Sequence, residues 1–353
     1  MSRIVTVAPV LGRHRYEQSR ITEEIGPLLT SEPKRRALLE RLHASSGVSG
    51  RSLVLPLADY ADLRSFGEAN AAFVRLGTEL AAEAIATALD RAGLRSRDVD
   101  LLLFTSVTGV SAPSIDALLV ERLGMREDVR RLPSFGLGCA GGAGGLARCH
   151  DYLLGHPGHV ALLVSVELCS LTVQHGDDST ANLVASGLFG DGGAAVVLVG
   201  EAHPLAGGGT VRVVDAASRL YPGTADQLGW DVGGSGFRIV LAPGLPEVVR
   251  EHLADDVEAF LERHDLKTRD VGAWVMHPGG PRILDAAREA LDLDDAALTR
   301  SERVLRRTGN LSSASVLHVL AEHLAAGHPT GTWGVAAAFG PGVGSELVLL
   351  RWD

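Results

Sequence analysis

The chain has 353 residues, of which 46% are hydrophobic and 42 are glycine. This length allows a large core and suggests about two domains, and the glycine content is too high for a simple helical bundle. The net charge of −10 argues against a nucleic-acid surface. Three cysteines without framework spacing indicate free thiols in a reducing, cytoplasmic setting.

The sequence also lacks the signals of membrane and metal proteins. No apolar run of about 18 uncharged residues predicts a membrane span. Residues 1–9 form one short apolar stretch that is not typical of a signal peptide. No cysteine–histidine cluster has the spacing of a metal site.

Apolar strand-like runs alternate with helix-like runs along the chain. The predicted strands lie at residues 99–105, 129–135, 159–168, 273–277, 332–339 and 346–352. The predicted helices lie at residues 69–91, 114–123, 146–154, 246–263, 282–291 and 312–325. Helices placed between apolar strands predict an α/β layered fold.

Two weak internal similarities suggest a duplicated unit. Residues 189–199 and 339–349 both read as a Phe-Gly-x-Gly turn that leads into an apolar strand, and the small-residue segments after Cys139 and Gly309 are also alike. Two copies of one unit, 1–207 and 208–353, divided near residues 207–209 and packed as one compact body, would explain both. The alternative is a chance similarity of glycine turns.

Cys139 stands where a predicted buried strand turns into a helix, in the segment Phe135-Gly-Leu-Gly-Cys-Ala-Gly-Gly. A helix N-terminus presents free N–H groups and a partial positive charge, which lower the pKa of a thiol and favour the thiolate. The glycines allow a ligand or another backbone to approach closely. Cys139 is therefore a candidate nucleophile, and the alternative is a buried, inert cysteine.

Two further segments carry groups suited to acid–base and hydrogen-bond chemistry. His277 ends an apolar strand, a place from which side chains face a cleft beyond the sheet, and histidine titrates near neutral pH. Asn310 precedes a small-residue helix, where its amide could donate to an oxyanion without titrating. The alternatives are an ordinary turn histidine and a helix N-cap.

Cys, His and Asn in this order also occur in papain-like proteases. The local Cys-Gly-Ser-Cys-Trp signature of those enzymes is absent here, and the alternation of helices and strands fits them poorly. We therefore discard the protease interpretation.

The segments resemble those of type III polyketide synthases, the chalcone synthase superfamily. The active-site matches are Leu137-Gly-Cys-Ala-Gly-Gly, His277-Pro-Gly-Gly and Gly309-Asn-Leu-Ser-Ser. Phe189-Gly-Asp-Gly and Phe339-Gly-Pro-Gly resemble two further family segments, and all five follow the family order. The resemblance implies a thiolase-like fold of two αβαβα halves and a homodimer.

The resemblance also implies a reaction. Cys139 would take an acyl group from an acyl-CoA, and His277 would hold its thiolate as an ion pair. His277 and Asn310 would stabilise the enolate that forms when malonyl-CoA loses carbon dioxide, since preorganised donors suit a developing oxyanion. Repeated condensation and cyclisation would follow, with CoA thioesters as substrates and no cofactor.

Substrate-binding residues are assigned by the same resemblance. Phe189 and Phe237 resemble the two phenylalanines that gate the passage between a CoA tunnel and the cavity. Arg41 fits one basic CoA-binding position. Leu38 and Ser45 stand where the family often has lysine, so Arg36 or Arg51 would have to substitute there.

Five other residues would line the cavity, namely Thr108, Ala112, Cys169, Thr172 and Ser312. Ala112 stands where plant chalcone synthases have methionine, and the missing volume would leave space for a medium- or long-chain acyl group. Residues 166–172 resemble bacterial members that make alkylresorcinols and alkylpyrones. We therefore expect a fatty acyl-CoA starter and one of these products, and leave open whether methylmalonyl-CoA also serves as extender.

Two other interpretations remain open. A β-ketoacyl-ACP synthase III-like enzyme shares the fold and the Cys/His/Asn set but performs a single condensation. The His277 turn and the Phe339 segment favour the polyketide synthase. A non-catalytic acyl-CoA-binding protein on this fold is disfavoured because all three catalytic residue types are retained.

Overall fold

The computed structural model describes residues 1–208 and 211–353, which form thirteen strands and ten α-helices. The strands are β1 (Ser2–Leu11), β2 (His14–Glu17), β3 (Gly50–Leu53), β4 (Leu101–Thr105), β5 (Arg130–Ser134), β6 (Val160–Leu168), β7 (Asp191–Gly200), β8 (Val211–Leu220), β9 (Leu228–Gly233), β10 (Gly236–Leu241), β11 (Val271–Met276), β12 (Trp333–Gly340) and β13 (Gly344–Trp352). The α-helices are α1 (Gln18–Leu29), α2 (Pro33–Ala44), α3 (Phe66–Ala92), α4 (Ile115–Arg122), α5 (Gly141–Gly155), α6 (Thr180–Leu188), α7 (Leu245–Glu262), α8 (Pro281–Ala290), α9 (Thr299–Thr308) and α10 (Ser315–Ala326).

Nine strands form one mixed sheet in the order β11-β12-β13-β8-β1-β7-β6-β4-β5. The order repeats about the β8–β1 junction, so that β8, β13, β12 and β11 take the places of β1, β7, β6 and β4. The pairing repeats as well, because β7–β6 and β13–β12 are antiparallel while β6–β4 and β12–β11 are parallel. This repeat matches the internal similarity of the turns before β7 and β13. The predicted division near residues 207–209 lies partly outside the described residues, and the boundary stays a prediction.

Three apolar clusters divide the molecule into layers. The central cluster joins α5 and α10 to the inner faces of both halves of the sheet, through residues such as Leu146 and Leu317. One outer cluster packs α1–α4 against the first half, and the other packs α7–α9 against the second half. Strand alternation produces this division, since successive side chains face opposite sides of a sheet. The result is the predicted α/β layered fold.

Two parts of the sheet differ from the sequence-based expectation. The segment 1–9 was expected only as a short apolar stretch, and from Ser2 onward it belongs to β1 at the middle of the sheet. The segment 129–135 was expected as a buried strand, but β5 is an edge strand whose Leu132 is 43% exposed, and Phe135 beside it is 52% exposed. The prediction that this strand is buried was wrong within one chain. An apolar run does not show whether another element covers the strand.

None of the helices in residues 1–208 and 211–353 is long and apolar enough to cross a membrane. In the same residues, no group of His, Cys, Asp and Glu side chains has the arrangement of a metal site. Cys139, Cys149 and Cys169 are free thiols, and Cys149 is fully buried in the central cluster.

Candidate active site

Cys139 lies in a short 3₁₀ turn, Gly138–Ala140, that runs directly into α5. Glycines let other segments come close to this turn. Gly138 has a φ of +51°, and a Cβ there would lie 2.2 Å from Cδ of Pro341. A Cβ on Gly142 would lie 2.2 Å from the carbonyl oxygen of Ser313. The candidate nucleophile is therefore enclosed by the segments at residues 312–316 and 339–342.

Asn310 and the His277 turn are joined by a side-chain hydrogen bond. Nδ2 of Asn310 donates to the carbonyl oxygen of Gly279 at 3.2 Å, and its Oδ1 accepts from the N–H of Ser312 at 2.8 Å. His277 follows β11, and its backbone N–H donates to the carbonyl of Ala337 on β12. Both His277 and Asn310 are buried. The end of β11 thus fixes His277, and the hydrogen bond to Gly279 ties Asn310 to the same turn.

The Cys139 thiol donates to the hydroxyl of Ser312 at 3.6 Å. Burial raises the pKa of Cys139 to about 12, and this outweighs the hydrogen bonding with Ser312 and Asn310, which lowers it. Burial also lowers the pKa of His277 to about 3, and its ring nitrogens have no hydrogen-bond partner among the described residues. Burial therefore favours the neutral form of both the thiol and the imidazole. The thiolate–imidazolium pair expected from the sequence stays a prediction, and desolvation opposes it while the helix N-terminus favours it.

A small apolar cavity of about 40 Å³ opens at the Cys139 thiol. Its lining includes three of the predicted cavity residues, Thr108, Cys169 and Ser312, together with Phe189. A second cavity, of about 30 Å³, is lined in part by Thr172. The two cavities share the side chains of Cys169, Phe189, Trp230 and Ile239. These shared residues separate the thiol from the space beyond.

Two predicted cavity residues lie elsewhere. Ala112 is exposed on the loop at residues 106–114 and lines neither of these cavities. Phe237 is buried behind them, with its ring centroid 5.9 Å from that of Trp230 and 5.3 Å from that of Phe66. Phe237 therefore supports Trp230, which lines both cavities, instead of lining them itself.

The three arginines considered for CoA binding differ in their availability. Arg41 is exposed on α2. Arg36 donates to the carbonyl of Thr22 at 3.0 Å and lies 3.3 Å from the carboxylate of Glu40. Arg51 is only 2% exposed and donates to protein oxygens. Arg51 therefore cannot substitute as a CoA ligand.

Glu167 is a buried residue of the site that the sequence reasoning did not identify. Its carboxylate accepts hydrogen bonds from Ser106, from the backbone of Val107 and from Thr108, at 2.9–3.1 Å, and also from Ser313. Burial raises its pKa, while these bonds lower it. Glu167 joins the loop that carries Thr108 to the turn that carries Ser312. The one signal was a carboxylate inside an otherwise apolar strand.

Trp230 was also missed. It lies on β9, which pairs with β10 as a separate two-stranded hairpin. The sequence reasoning predicted no strand there. Its role in the cavity depends on how this hairpin folds over Cys139, which no local pattern indicates.

Comparison with known proteins identifies the family of this chain. Residues 14–211 match the family described as FAE1/Type III polyketide synthase-like protein, and residues 212–352 match the C-terminal domain of chalcone and stilbene synthases. A 1,3,6,8-tetrahydroxynaphthalene synthase of Streptomyces peucetius subsp. caesius is 54% identical over 350 residues, which cover 99% of this chain and 93% of that protein.

A solved structure and a more distant sequence relative agree with this family. The crystal structure of the 1,3,6,8-tetrahydroxynaphthalene synthase of Streptomyces coelicolor A3(2), a bacterial type III polyketide synthase, superposes with a TM-score of 0.92 at 32% identity, covering 99% of each chain. The alpha-pyrone synthesis polyketide synthase-like Pks18 of Mycobacterium tuberculosis is 29% identical over 96% of this chain and 88% of its own.

Fold and comparisons together define a thiolase-like condensing enzyme. More specifically, the chain belongs to the type III polyketide synthase family. It is therefore an acyltransferase of a family that uses malonyl-CoA and other CoA thioesters without a cofactor. This confirms the predicted fold and family, and it displaces the single-condensation and non-catalytic interpretations.

Proposed function

We propose that this enzyme makes 1,3,6,8-tetrahydroxynaphthalene from malonyl-CoA alone. The observation that carries the proposal is the 54% identity, over nearly the whole chain, to a synthase of that name. A naphthalene skeleton has ten carbons, and hydroxyls on alternate carbons are the pattern of a poly-β-keto chain of five two-carbon units. Five malonyl-CoA molecules would yield the product, five CO₂, five CoA and one water.

Cys139 would carry the growing chain as a thioester. Loading breaks the thioester bond to CoA and forms one to Sγ of Cys139, and the thiol proton must leave. The imidazole of His277, whose ring nitrogens have no partner among the described residues, is the available acceptor. The proton is then passed to the departing CoA thiolate. A neutral imidazole suits this exchange because it has one free nitrogen lone pair.

Decarboxylation would use His277 and Asn310 as hydrogen-bond donors to the thioester oxygen of malonyl-CoA. When malonyl-CoA loses CO₂, negative charge moves onto its thioester oxygen. The amide of Asn310 is held by Gly279 and by the N–H of Ser312, so it needs little rearrangement to donate to this oxygen together with His277. The resulting carbanion attacks the carbonyl of the Cys139 thioester and extends the chain by two carbons.

The lining of the cavity supports this chemistry. Leu228, Trp230 and Ile239 exclude water from the thiol, and a dry site protects the thioester and the enolate from hydrolysis and protonation. The small volume at Cys139 also suits a malonyl-derived starter better than a long alkyl chain.

Purified enzyme with malonyl-CoA as sole substrate, under argon, tests the proposal. We expect a product with the mass and NMR spectrum of authentic 1,3,6,8-tetrahydroxynaphthalene, with equal amounts of CO₂ and CoA released. Cys139→Ala is the matched control and forms no product. Failure to make an aromatic product without an added starter would refute the malonyl-only reaction.

A fatty acyl starter with an alkylresorcinol or alkylpyrone product remains the second candidate. The sequence argument that Ala112 leaves space for an acyl chain in the cavity does not hold within one chain, because Ala112 is exposed. The relation to the alpha-pyrone synthesis protein supports it. A panel of acyl-CoA starters of increasing length, each supplied with malonyl-CoA, separates the two candidates by product mass.

We also propose that the chain acts as a cytoplasmic homodimer, with Arg41 contributing to CoA binding. The free thiols are consistent with a reducing compartment. Val110, Leu132 and Phe135 are large apolar residues that are 42–52% exposed at and beside the edge strand β5. Large apolar side chains exposed in one region are typical of an interface with another chain.

A further inference from the structure

The C-terminal end of α6 is buried behind the cavity and directly precedes Phe189. The last carbonyl groups of a helix have no partner within the helix and must find one elsewhere. Nη2 of Arg51 donates to the carbonyl of Ser186 at 2.7 Å, and Nη1 donates to the carbonyl of Phe189. Nε2 of Gln18 donates to the carbonyl of Gly187 at 2.7 Å. Two buried side chains therefore cap this helix end.

Arg51 is fully committed to this cap. Its Nε donates to Oε1 of Gln18 at 3.2 Å, and the residue is 2% exposed. No carboxylate in the described part of the chain lies within ion-pair distance of it. A buried cation without a direct ion pair is costly. The charge of Asp191 favours the protonated form of Arg51, and the negative end of the helix dipole and the carbonyl oxygens also compensate for this cost.

The same cap reaches the backbone of Asn310. Phe189 and Asn310 form a parallel β-bridge. The N–H of Asn310 donates to the carbonyl of Leu188 at 2.9 Å, and the N–H of Gly190 donates to the carbonyl of Asn310 at 3.0 Å. The stem of Arg51 lies against Gly309, where a Cβ would be 2.8 Å from Cδ of Arg51. Arg51 therefore bonds one partner of the bridge, Phe189, and packs against Gly309, the residue before the other partner.

We infer that Arg51 is a positioning residue for the reaction. It fixes the backbone of Phe189, which lines the cavity, relative to Asn310, which donates to the enolate oxygen. This inference rests on the proposed role of Asn310. The proposed role does not involve the thiol, because Arg51 bonds to Phe189 and to the end of α6 and not to Cys139 or Ser312.

Arg51→Met, which removes the donors and keeps the stem, tests the inference through two separate steps. Loading of Cys139 by acetyl-CoA is followed by intact mass, and decarboxylation of malonyl-CoA by CO₂ release. We expect decarboxylation to fall by about 10–100-fold and loading by less than about threefold, because small displacements of a positioned group are costly only for the step that uses it. Arg51→Lys keeps the charge with fewer donors and should give an intermediate loss.

Arg35→Met is the matched control. Arg35 is partly buried and, like Arg51, donates to a backbone carbonyl, that of Asp178, but at the opposite end of α6. We expect both steps to remain close to wild type in this variant. Equal losses of loading and decarboxylation in Arg51→Met, or no loss of either, would overturn the inference.

Gln18→Leu is the variant to use if Arg51→Met does not fold, as judged by circular dichroism and thermal unfolding. It removes one capping side chain and leaves Arg51 in place, so we expect the same selective loss of decarboxylation with a smaller size. A parallel loss of both steps in this variant overturns the inference. Neither readout depends on the final product, so a pyrone in place of a naphthalene refutes the proposed function and leaves the role of Arg51 intact.

Discussion

The thiol of Cys139 lies 3.6 Å from the hydroxyl of Ser312. The backbone N–H of Ser312 donates to the amide oxygen of Asn310 at 2.8 Å. Ser312 has a φ of +47°, an uncommon value for a residue with a side chain. The turn therefore aims a hydroxyl at the sulfur. Once the thiol ionises, this hydroxyl can reverse its role and donate to the thiolate.

Replacing Ser312 by alanine should make Cys139 less reactive. The hydrogen bond from Ser312 lowers the pKa of the thiol, and a hydrogen bond to a charged group is worth about 1.5–3 kcal/mol. We expect alkylation of Cys139 by iodoacetamide at pH 8 to slow by about tenfold or more. Ser313→Ala, whose hydroxyl binds Glu167 instead, is the neighbouring control. An unchanged alkylation rate in Ser312→Ala would show that the contact does not stabilise the thiolate.

Asn310→Ala should strongly slow decarboxylation while leaving the nucleophile able to accept an acyl group. Loss of one oxyanion donor costs about 10²–10³-fold in rate. The measurement is CO₂ release from malonyl-CoA, compared with acetyl loading of Cys139 by intact mass. Normal CO₂ release would contradict the role of Asn310 in stabilising the enolate.

Trp230→Ala should change the choice of starter. Trp230 lines both the cavity at Cys139 and the one beyond it, so its removal is expected to join them. Since one methylene in an apolar pocket is worth about 10-fold or more in discrimination, use of octanoyl-CoA relative to malonyl-CoA should rise at least about tenfold. Phe66→Leu alters the support of Phe237 outside the cavities and is the control. An unchanged starter preference would mean that this side chain does not limit the space.

Stability should fall as the solution becomes acidic, in part through His318. Burial lowers the pKa of His318 to about 4, although its ring donates to the carbonyl of Gly193 at 2.8 Å. The unfolded chain binds the proton near pH 6.5, so stability is lost as pH falls from 6.5 towards 4. His318→Gln keeps a donor. Between pH 7 and pH 5, the free energy of unfolding of this variant, measured in urea, should fall by about 2 kcal/mol less than that of the wild type. The same pH dependence in both proteins would contradict this assignment.

Leu132→Glu should separate the proposed homodimer. Leu132 is 43% exposed on the edge strand β5, and a charge at a buried interface is strongly unfavourable. We expect the wild type to elute at the mass of two chains in light scattering and the variant at that of one. Leu154→Glu, at a residue that is 55% exposed on α5 and away from this edge, should leave the mass unchanged. A monomeric wild type would refute the proposed dimer.

Local pattern predicted much of the fold because apolar period and glycine breaks are local properties. The helix expected at residues 69–91 is α3, which ends at Gly93 in the left-handed conformation. The strand at residues 159–168 is β6. By contrast, the exposure of β5 and the central place of β1 depend on partners far along the chain, and a short apolar run does not specify them.

The residue types and order of Cys139, His277 and Asn310 were determined by the sequence itself, because each lies in a short segment with a recognisable turn. Only the tertiary structure decided their environment. Burial by residues distant in sequence raises the pKa of the thiol and lowers that of the imidazole, since desolvation acts through every neighbouring atom and not through the local helix end. The same long-range packing places Phe237 behind Trp230 and leaves Ala112 at the surface. It also buries Arg51, considered as a CoA ligand, at the end of α6, where it caps the helix.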